Sequence, residues 1–385
     1  MSGEQSVRLG DLMAGRATTV NPARFMDEDF ELYSIPAFDR GAPETVPGSQ
    51  IGSSKQLVQA GDVLLSKIVP HIRRAWVVGP DRGLRKLASS EWIVFRSDAV
   101  DPGYLRHLLV GDEFHASFMN TVAGVGGSLM RARPAFVAEI RMAIPSMDGQ
   151  RRVAGVLDRV EALRARRREA RGLLHELADS VYLEMFGSPA EPGGRWPTAP
   201  VGSLARVIRG ASPRPAGDPR YFGGTIPWLK ISDVTAARGK TVEHVRETVT
   251  EAGRAKSVYL ERGTLILTNS ATVGIPKFLG VGSCIHDGFL AFLDLSDRVL
   301  AEYLYSFFRI MRPHLSRLAP EGTQKNLNTP IVKAIEVPLP PVELQREFKR
   351  RMAAVEELEA TVGRGGVVLD EMFGALRQRA FRGEL

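Results

Sequence analysis

One cysteine, Cys284, stands among 385 residues. It excludes an intramolecular disulfide and any zinc site built on more than one thiolate. No apolar run in the sequence approaches the ~20 residues needed to cross a bilayer. The first 15 residues lack a basic patch followed by an apolar core, so they do not read as a signal peptide. The expected location is therefore the cytoplasm, away from the membrane.

The signatures of common chemistries are missing as well. There is no G-x-x-x-x-G-K-[ST] loop for a triphosphate and no H-E-x-x-H metal site. Gly124-Val125-Gly126-Gly127 does not fit the G-x-G-x-x-G cofactor fingerprint and follows no clear strand. An adenine methyltransferase would need a short Asn/Asp-Pro-Pro-aromatic loop, and none is found. Pro80-Asp81 is followed by Glu91-Trp92-Ile93, which lacks the lysine of a nuclease Glu-x-Lys strand. The seven histidines are scattered. The expectation is no catalytic residue, no cofactor and no metal, although residues distant in sequence can still assemble a site.

What is present begins with charge. A net charge of +7 and a pI of about 9.6 favour an acidic partner, nucleic acid foremost, over an inert basic surface. The chain is long for one domain and comfortable for two.

An internal repeat organises it. Ile144-Pro145-Ser146-Met147-Asp148-Gly149-Gln150-Arg151 aligns with Leu339-Pro340-Pro341-Val342-Glu343-Leu344-Gln345-Arg346. The same register pairs Gly127-Ser128 with Gly322-Thr323, Ile140 with Ile335, Val160-Glu161 with Val355-Glu356, and Phe186 with Phe381. No gap is needed from about 127 to 187. Upstream, Gly61-Asp62-Val63-Leu64-Leu65 resembles Gly263-Thr264-Leu265-Ile266-Leu267 in a slightly different register. The chain thus reads as two copies of one unit, each a variable globular part followed by a better-matched segment.

That segment has helical spacing. Val153, Leu157, Val160, Leu174, Leu177, Val181 and Met185 recur at three and four residues. Asp148 is the expected N-cap, and Gly187-Ser188-Pro189 ends the helix. The second copy offers Phe348, Met352, Val355, Leu358, Val362, Leu369, Met372 and Leu376, interrupted by Gly363, Gly365 and Gly366, where a bend or fray is expected. Two such helices suit an antiparallel pair acting as a stiff spacer. Arg164, Arg166, Arg167, Arg168 and Arg171 on the first are either a solvated face or contacts to phosphates.

The variable parts are mixed α and β. In the first, 62–69 and 91–96 read as strands and 104–110 as a short helix. In the second, 226–231, 264–268 and 289–295 read as strands and 301–312 as a helix. Residues 188–200 read as a linker and the stretch to about Gly10 as frayed.

At this point the residues resemble a family, the specificity subunits of Type I restriction-modification systems. Ile226-Pro227-Trp228-Leu229-Lys230-Ile231-Ser232-Asp233-Val234 is similar to the start of that family's target recognition domains. Gly322-Thr323-Gln324-Lys325-Asn326-Leu327-Asn328 is similar to the segment before the last strand, and Leu339-Pro340-Pro341 with Gln345-Arg346 to the entry of the conserved helix. The first copy departs from the pattern: Ser34-Ile35-Pro36-Ala37-Phe38 and Gly127-Ser128-Leu129-Met130-Arg131 stand in place of the Trp-containing and Thr-Gln-Lys-Asn motifs. The resemblance implies an α+β fold: two mixed α/β target recognition domains separated by two long helices that form an antiparallel coiled coil. Its segments would be 1–147, 148–187, 188–341 and 342–385, in the order recognition domain, spacer helix, recognition domain, spacer helix.

It further implies a non-catalytic subunit that binds a bipartite double-stranded DNA site. Two methylation subunits would dock on the helices and flip and methylate adenine, and a motor-nuclease subunit would join for cleavage. Major-groove chemistry then selects Lys67, His71, Arg73, Arg74, Arg131 and Arg133 in the first domain. In the second it selects Lys230, Gln324, Lys325 and Asn326. Trp228, in an apolar setting, is expected in the core. Two other classes stay open on the residues alone: a self-contained enzyme with a cryptic site, and a protein-binding coiled-coil adaptor.

Overall fold

The computed structural model describes residues 5–15, 18–123, 130–191, 194–237, 239–318 and 326–381, the side chains of Val367 and Val368 excepted. The chain divides into two compact units. The first is Met1–Glu169 with Arg364–Leu385, and the second is Ala170–Gly363.

In the first unit, strands Val63–Ser66, Ala75–Val77 and Trp92–Phe95 form a three-stranded antiparallel sheet with Val63–Ser66 in the middle. Alternation along that central strand explains its unbroken apolar sequence. Val63 and Leu65 face a helix, Pro102–Leu109, packing with Tyr104, Leu105 and Leu108. Leu64 faces the other way, into a cluster with Tyr33, Trp92 and Val94. Both faces are covered, so both must be apolar. A five-stranded sheet orders Thr19–Val20, Lys55–Val58, Arg85–Ala88, Asp29–Tyr33 and Glu44–Pro47.

The second unit repeats the scheme. Leu265–Thr268 lies between Phe289–Leu293 and Pro276–Leu279 in a five-stranded sheet. Leu265 and Leu267 pack on Tyr303, Phe307 and Phe308 of helix Ala301–Leu318, while Ile266 packs on Leu229 and Ala291. A four-stranded sheet orders Glu247–Val249, Phe222–Leu229, Ser283–Ile285 and Val258–Leu260.

The duplication holds down to single contacts. Gln5–Arg8 pairs with Arg141–Ile144 as Thr198–Pro200 pairs with Glu336–Pro338. A Cβ on Gly10 would meet Ala138 at 3.1 Å, and one on Gly202 would meet Lys333 at 3.2 Å, so both positions bring a short helix close against its neighbour. The expected fraying before Gly10 is therefore corrected: residues 5–12 are strand and helix, with Leu9 and Leu12 in the core. Likewise the expected linker 188–200 ends in a paired strand.

The repeat helices are Met147–Phe186 and Val342–Ala380. Each begins in one unit and ends in the other. The first starts one residue before the expected cap. Ser146, not Asp148, precedes it, and the Ser146 hydroxyl accepts the Gly149 N–H. Asp148 sits in the first turn, where its charge favours the helix dipole. Within the second unit, His175 lies 4.0 Å from Glu359, and Tyr182 packs on Phe348, so the two helices run antiparallel. Within the first, Arg167 lies over Gly365 and Arg164 bonds Asp370, again antiparallel.

The buried stripe differs in part from the expected one. Leu177, Leu358 and Met372 are exposed, while Ala178, Tyr182, Phe186 and Phe373 are buried. The expected fray at the glycines does not occur, since helix runs through Gly363, Gly365 and Gly366. Over Gly365 lies the flexible tip of the Arg167 side chain. Among the described residues no helix is long and apolar enough to cross a membrane.

Candidate nucleic-acid interface

In each unit the central strand ends in a loop held by the same backbone hydrogen bonds. Lys67 N–H donates to the Glu91 carbonyl at 3.0 Å, and Asn269 N–H donates to the Gly288 carbonyl at 2.9 Å. The Lys67 carbonyl accepts Ala132 N–H at 2.8 Å, and the Asn269 carbonyl accepts Leu327 N–H at 2.7 Å. Isolated bridges then join Ile68 to Arg131 and Ser270 to Asn326. Two residues past Lys67 and Asn269, Val69 and Ala271 have φ of +46° and +56°. Neither is glycine, so both loops carry backbone strain at the same point. By these bonds Lys67 is the counterpart of Asn269, and Arg131 that of Asn326.

In the first unit the loop sorts the sequence candidates. Arg74 is nearly buried, and its guanidinium makes a bidentate pair with Asp39 at 2.8 and 2.9 Å. Arg73 bonds the Val110 carbonyl at 3.1 Å and Asp112 at 2.5 Å. Both arginines brace the loop. Lys67 is half-buried and His71 exposed. Arg131 keeps 57% of its side chain exposed and reaches Glu91 at 3.4 Å. Arg133 is exposed, with its guanidinium 5.4 Å from the Phe136 ring centroid.

In the second unit Lys230 closes strand Phe222–Leu229, pairs with Glu247 at 2.6 Å and lies over the Trp228 ring at 5.1 Å. Its backbone N–H is held by Asp233, which is buried and bonded to Arg246 at 2.8 Å. Trp228 is buried, as expected, packing on Phe222 at 4.8 Å, but its indole N–H has no partner among the described residues. Gly288 is required beside the loop, because a Cβ there would meet the His286 ring at 2.3 Å and the Ser270 hydroxyl at 2.8 Å. Burial holds the His286 imidazole below its usual pKa, against the pull of Asp287. Gln324 and Lys325 lie outside the described residues, as do Gly124–Gly127 and Gly322-Thr323.

Sequence reasoning missed Asn269. It is fully buried, and among the described residues neither its amide oxygen nor its amide nitrogen has a partner; the Asn326 amide oxygen is likewise buried without a partner among them. Leaving such groups unpaired costs about 1–3 kcal/mol each. A signal was available in the Thr-Asn-Ser-Ala run closing the strand, which replaces an apolar pattern with small polar residues.

Of the helix arginines, Arg164 bonds Asp370 at 2.6 Å and covers the Phe373 ring at 4.7 Å, while Arg166 and Arg168 are exposed. Among the described residues, His107, Asp158 and Glu161 bring potential metal-ligand atoms within 4.8 Å of one another. Arg106 reaches Asp158 at 2.8 Å and Glu161 at 2.7 Å, so a guanidinium already supplies the cation there. Electrostatically this is an ion-paired brace between two helices of the first unit.

Comparison with known proteins agrees with this architecture. Residues 194–362 match the Type I restriction modification DNA specificity domain. The MjaIX specificity subunit, from a Type I restriction enzyme of Methanocaldococcus jannaschii, is 24% identical over 168 residues, 42% of this chain. The aligned part spans only 38% of that relative's own length. The crystal structure of a Type-I restriction-modification system S subunit from M. genitalium covers 99% of this chain and 96% of its own, at TM-score 0.61 and 10% identity. A chain solved in work on complex assembly and conformational transition of the type I R-M system covers 100% of this chain and 98% of its own, at TM-score 0.58 and 22% identity. These likenesses show the fold. The second unit thus matches the Type I restriction modification DNA specificity domain, and its strand, loop and helix scheme is repeated in the first.

Proposed function

We propose that this chain recognises a bipartite double-stranded DNA site for a Type I restriction-modification complex and does no chemistry of its own. Each globular part reads one half of the site, and the repeat helices set the gap between halves. The four segments 1–147, 148–187, 188–341 and 342–385 are then recognition domain, spacer, recognition domain, spacer. Because one chain supplies both readers, the halves need not be palindromic.

The observation that carries this reading is the pair of equivalent loops. Their backbone bonds match one for one, yet their side chains differ: Lys67 and Arg131 in one, Asn269 and Asn326 in the other. A shared frame with different hydrogen-bonding groups at its tip suits two readers of different bases. Lys67, His71, Arg131, Arg133, Lys230 and Asn326, with Gln324 and Lys325, are the proposed contacts, and Arg73 and Arg74 hold the loop that carries them. The net charge of +7 supports attraction to phosphates.

Two methylation subunits dock on the helices, where Leu163, Leu173, Leu177, Leu183, Leu358 and Met372 stand exposed. They extrude and methylate adenine, and a motor-nuclease subunit adds cleavage. The test is selection from random duplex DNA, with and without a co-expressed methylation subunit. Enrichment of a two-part motif with a fixed gap is the expected result. Binding without enrichment, even with the partner present, overturns the proposal.

A further inference from the structure

The two loops differ in a way that bears on which bases they read. Position 131 in the first unit and 326 in the second are one structural position, fixed by the bridges Ile68–Arg131 and Ser270–Asn326 and by the flanking bonds from Ala132 and Leu327. Each sits across from a strained left-handed residue, Val69 or Ala271. Arg131 presents an exposed guanidinium that reaches Glu91 at 3.4 Å. Such a contact is too long to hold it firmly.

The second unit is built differently. Asn326 is half-exposed, while its amide oxygen is buried and has no partner among the described residues. Beside the Ser270–Asn326 bridge, Asn269 is sealed from solvent, and neither of its amide atoms has a partner among the described residues. An amide offers one donor edge and one acceptor edge, which matches the N6 and N7 of adenine; a guanidinium offers two donors, which match the O6 and N7 of guanine.

We infer that Arg131 and Asn326 set the base composition of the two half-sites: guanine in the half read by the first unit, adenine in the half read by the second. This rests on the proposed DNA-recognition function. It names the reader at each loop and the base each takes. Glu91 acts as a placeholder for Arg131, occupying the guanidinium until DNA arrives. Asn269 adds a second amide beside the Ser270–Asn326 bridge, with a donor and an acceptor that have no partner among the described residues.

The test uses the full chain co-expressed with its methylation subunit and random duplex DNA. Four variants are compared with the parent: Asn326→Ala, Asn326→Gln, Arg131→Ala and Arg131→Lys. For Asn326→Ala, one adenine in one half-site should lose its preference by about tenfold or more, with the other half-site unchanged. Asn326→Gln keeps an amide edge and should retain adenine there. Arg131→Ala should remove a guanine preference from the opposite half, and Arg131→Lys should keep part of it. The unaffected half-site reports in each case that the variant is folded and bound. If Asn326→Ala and Asn326→Gln give the same motif as the parent, or both Arg131 variants do, the assignment is wrong while DNA recognition stands. If the parent itself enriches no two-part motif, the underlying function fails instead.

Discussion

Gln345 holds the second repeat helix to its unit by the same hydrogen bonds with which Gln150 holds the first. The Gln150 amide oxygen accepts Asp101 N–H at 2.8 Å, and the Gln345 oxygen accepts Leu300 N–H at 2.8 Å. Their amide nitrogens donate to the carbonyls of Pro145 and Pro340, at 3.0 and 2.9 Å, and of Ala99 and Arg298. Both side chains are buried. Replacing either with alanine strands one N–H and two carbonyls in the interior. Each of Gln150→Ala and Gln345→Ala is expected to destabilise the chain by about 1–3 kcal/mol. Denaturant titration checks this, and an unchanged midpoint for either variant would mean the amide is dispensable.

These glutamines also explain what the sequence made legible. The Gln-Arg pair repeats because helix entry is locked to a particular loop, and such a lock tolerates no substitute of different length. The central strands were legible for a similar reason: covered on both faces, they read as apolar runs. The helix stripe was only partly legible. Its spacing rightly included Val355 but also admitted Leu177, Leu358 and Met372, whereas buried positions beside Leu177 and Met372 are one residue over, at Ala178 and Phe373. Exposed leucines on a helix satisfy the same periodicity as buried ones, and only the packing tells them apart. The repeat register already paired Arg131 with Asn326 and Lys67 with Asn269, but the strain that marks the loops was not legible. Val69 and Ala271 are the strained positions, and neither residue type announces a left-handed backbone.

Burial of His107 gives the first unit a pH response. Its imidazole is fully buried; desolvation, then Arg106, holds its pKa below the ordinary 6.5, while Asp158 and Glu161 pull the other way. The folded state therefore favours the neutral ring, and unfolded chains bind the proton more readily. The resulting stability is fully present above pH 6.5 and is lost as pH falls toward the lowered folded value. Thermal melts from pH 7.5 to 5.5 should show the parent losing stability more steeply than His107→Gln. Parallel slopes would place the acid response elsewhere.

Two glycines make opposite predictions from the same substitution. A Cβ on Gly210 would stand 2.1 Å from the His286 carbonyl oxygen, a backbone atom that cannot yield. One on Gly365 would meet the tip of the flexible Arg167 side chain, which can swing aside. Gly210→Ala is expected to lower Tm sharply. Gly365→Ala should raise helix stability by up to about 1 kcal/mol through propensity. A loss of stability in Gly365→Ala comparable to that in Gly210→Ala would show that the Arg167 seat matters more than the helix.

Modularity is tested by exchange. Replacing residues 188–338 with the same region of a relative keeps both helix entries, with Gln150 and Gln345 in place. One half-site should change and the other persist, read by selection from random duplex DNA. A change in both halves would sink the assignment of one reader per half.

If the helices set the gap between half-sites, as proposed, shortening them should shorten that gap, and the structure decides where to cut. A heptad at 156–162 is a poor choice, because Leu157 is in the first unit's core and Asp158 and Glu161 pair with Arg106. Within the first unit Arg164 meets Asp370 and Arg167 meets Gly365, and within the second His175 meets Glu359. Residues 166–172 and 362–368 include none of the core residues among those described. Deleting both heptads removes about 10 Å of rise and nearly two full turns, changing the rotational phase by roughly 20°. At ~3.4 Å per base pair, the preferred gap should shorten by about three base pairs. A selected motif with the parental gap would mean that something other than helix length sets the spacing.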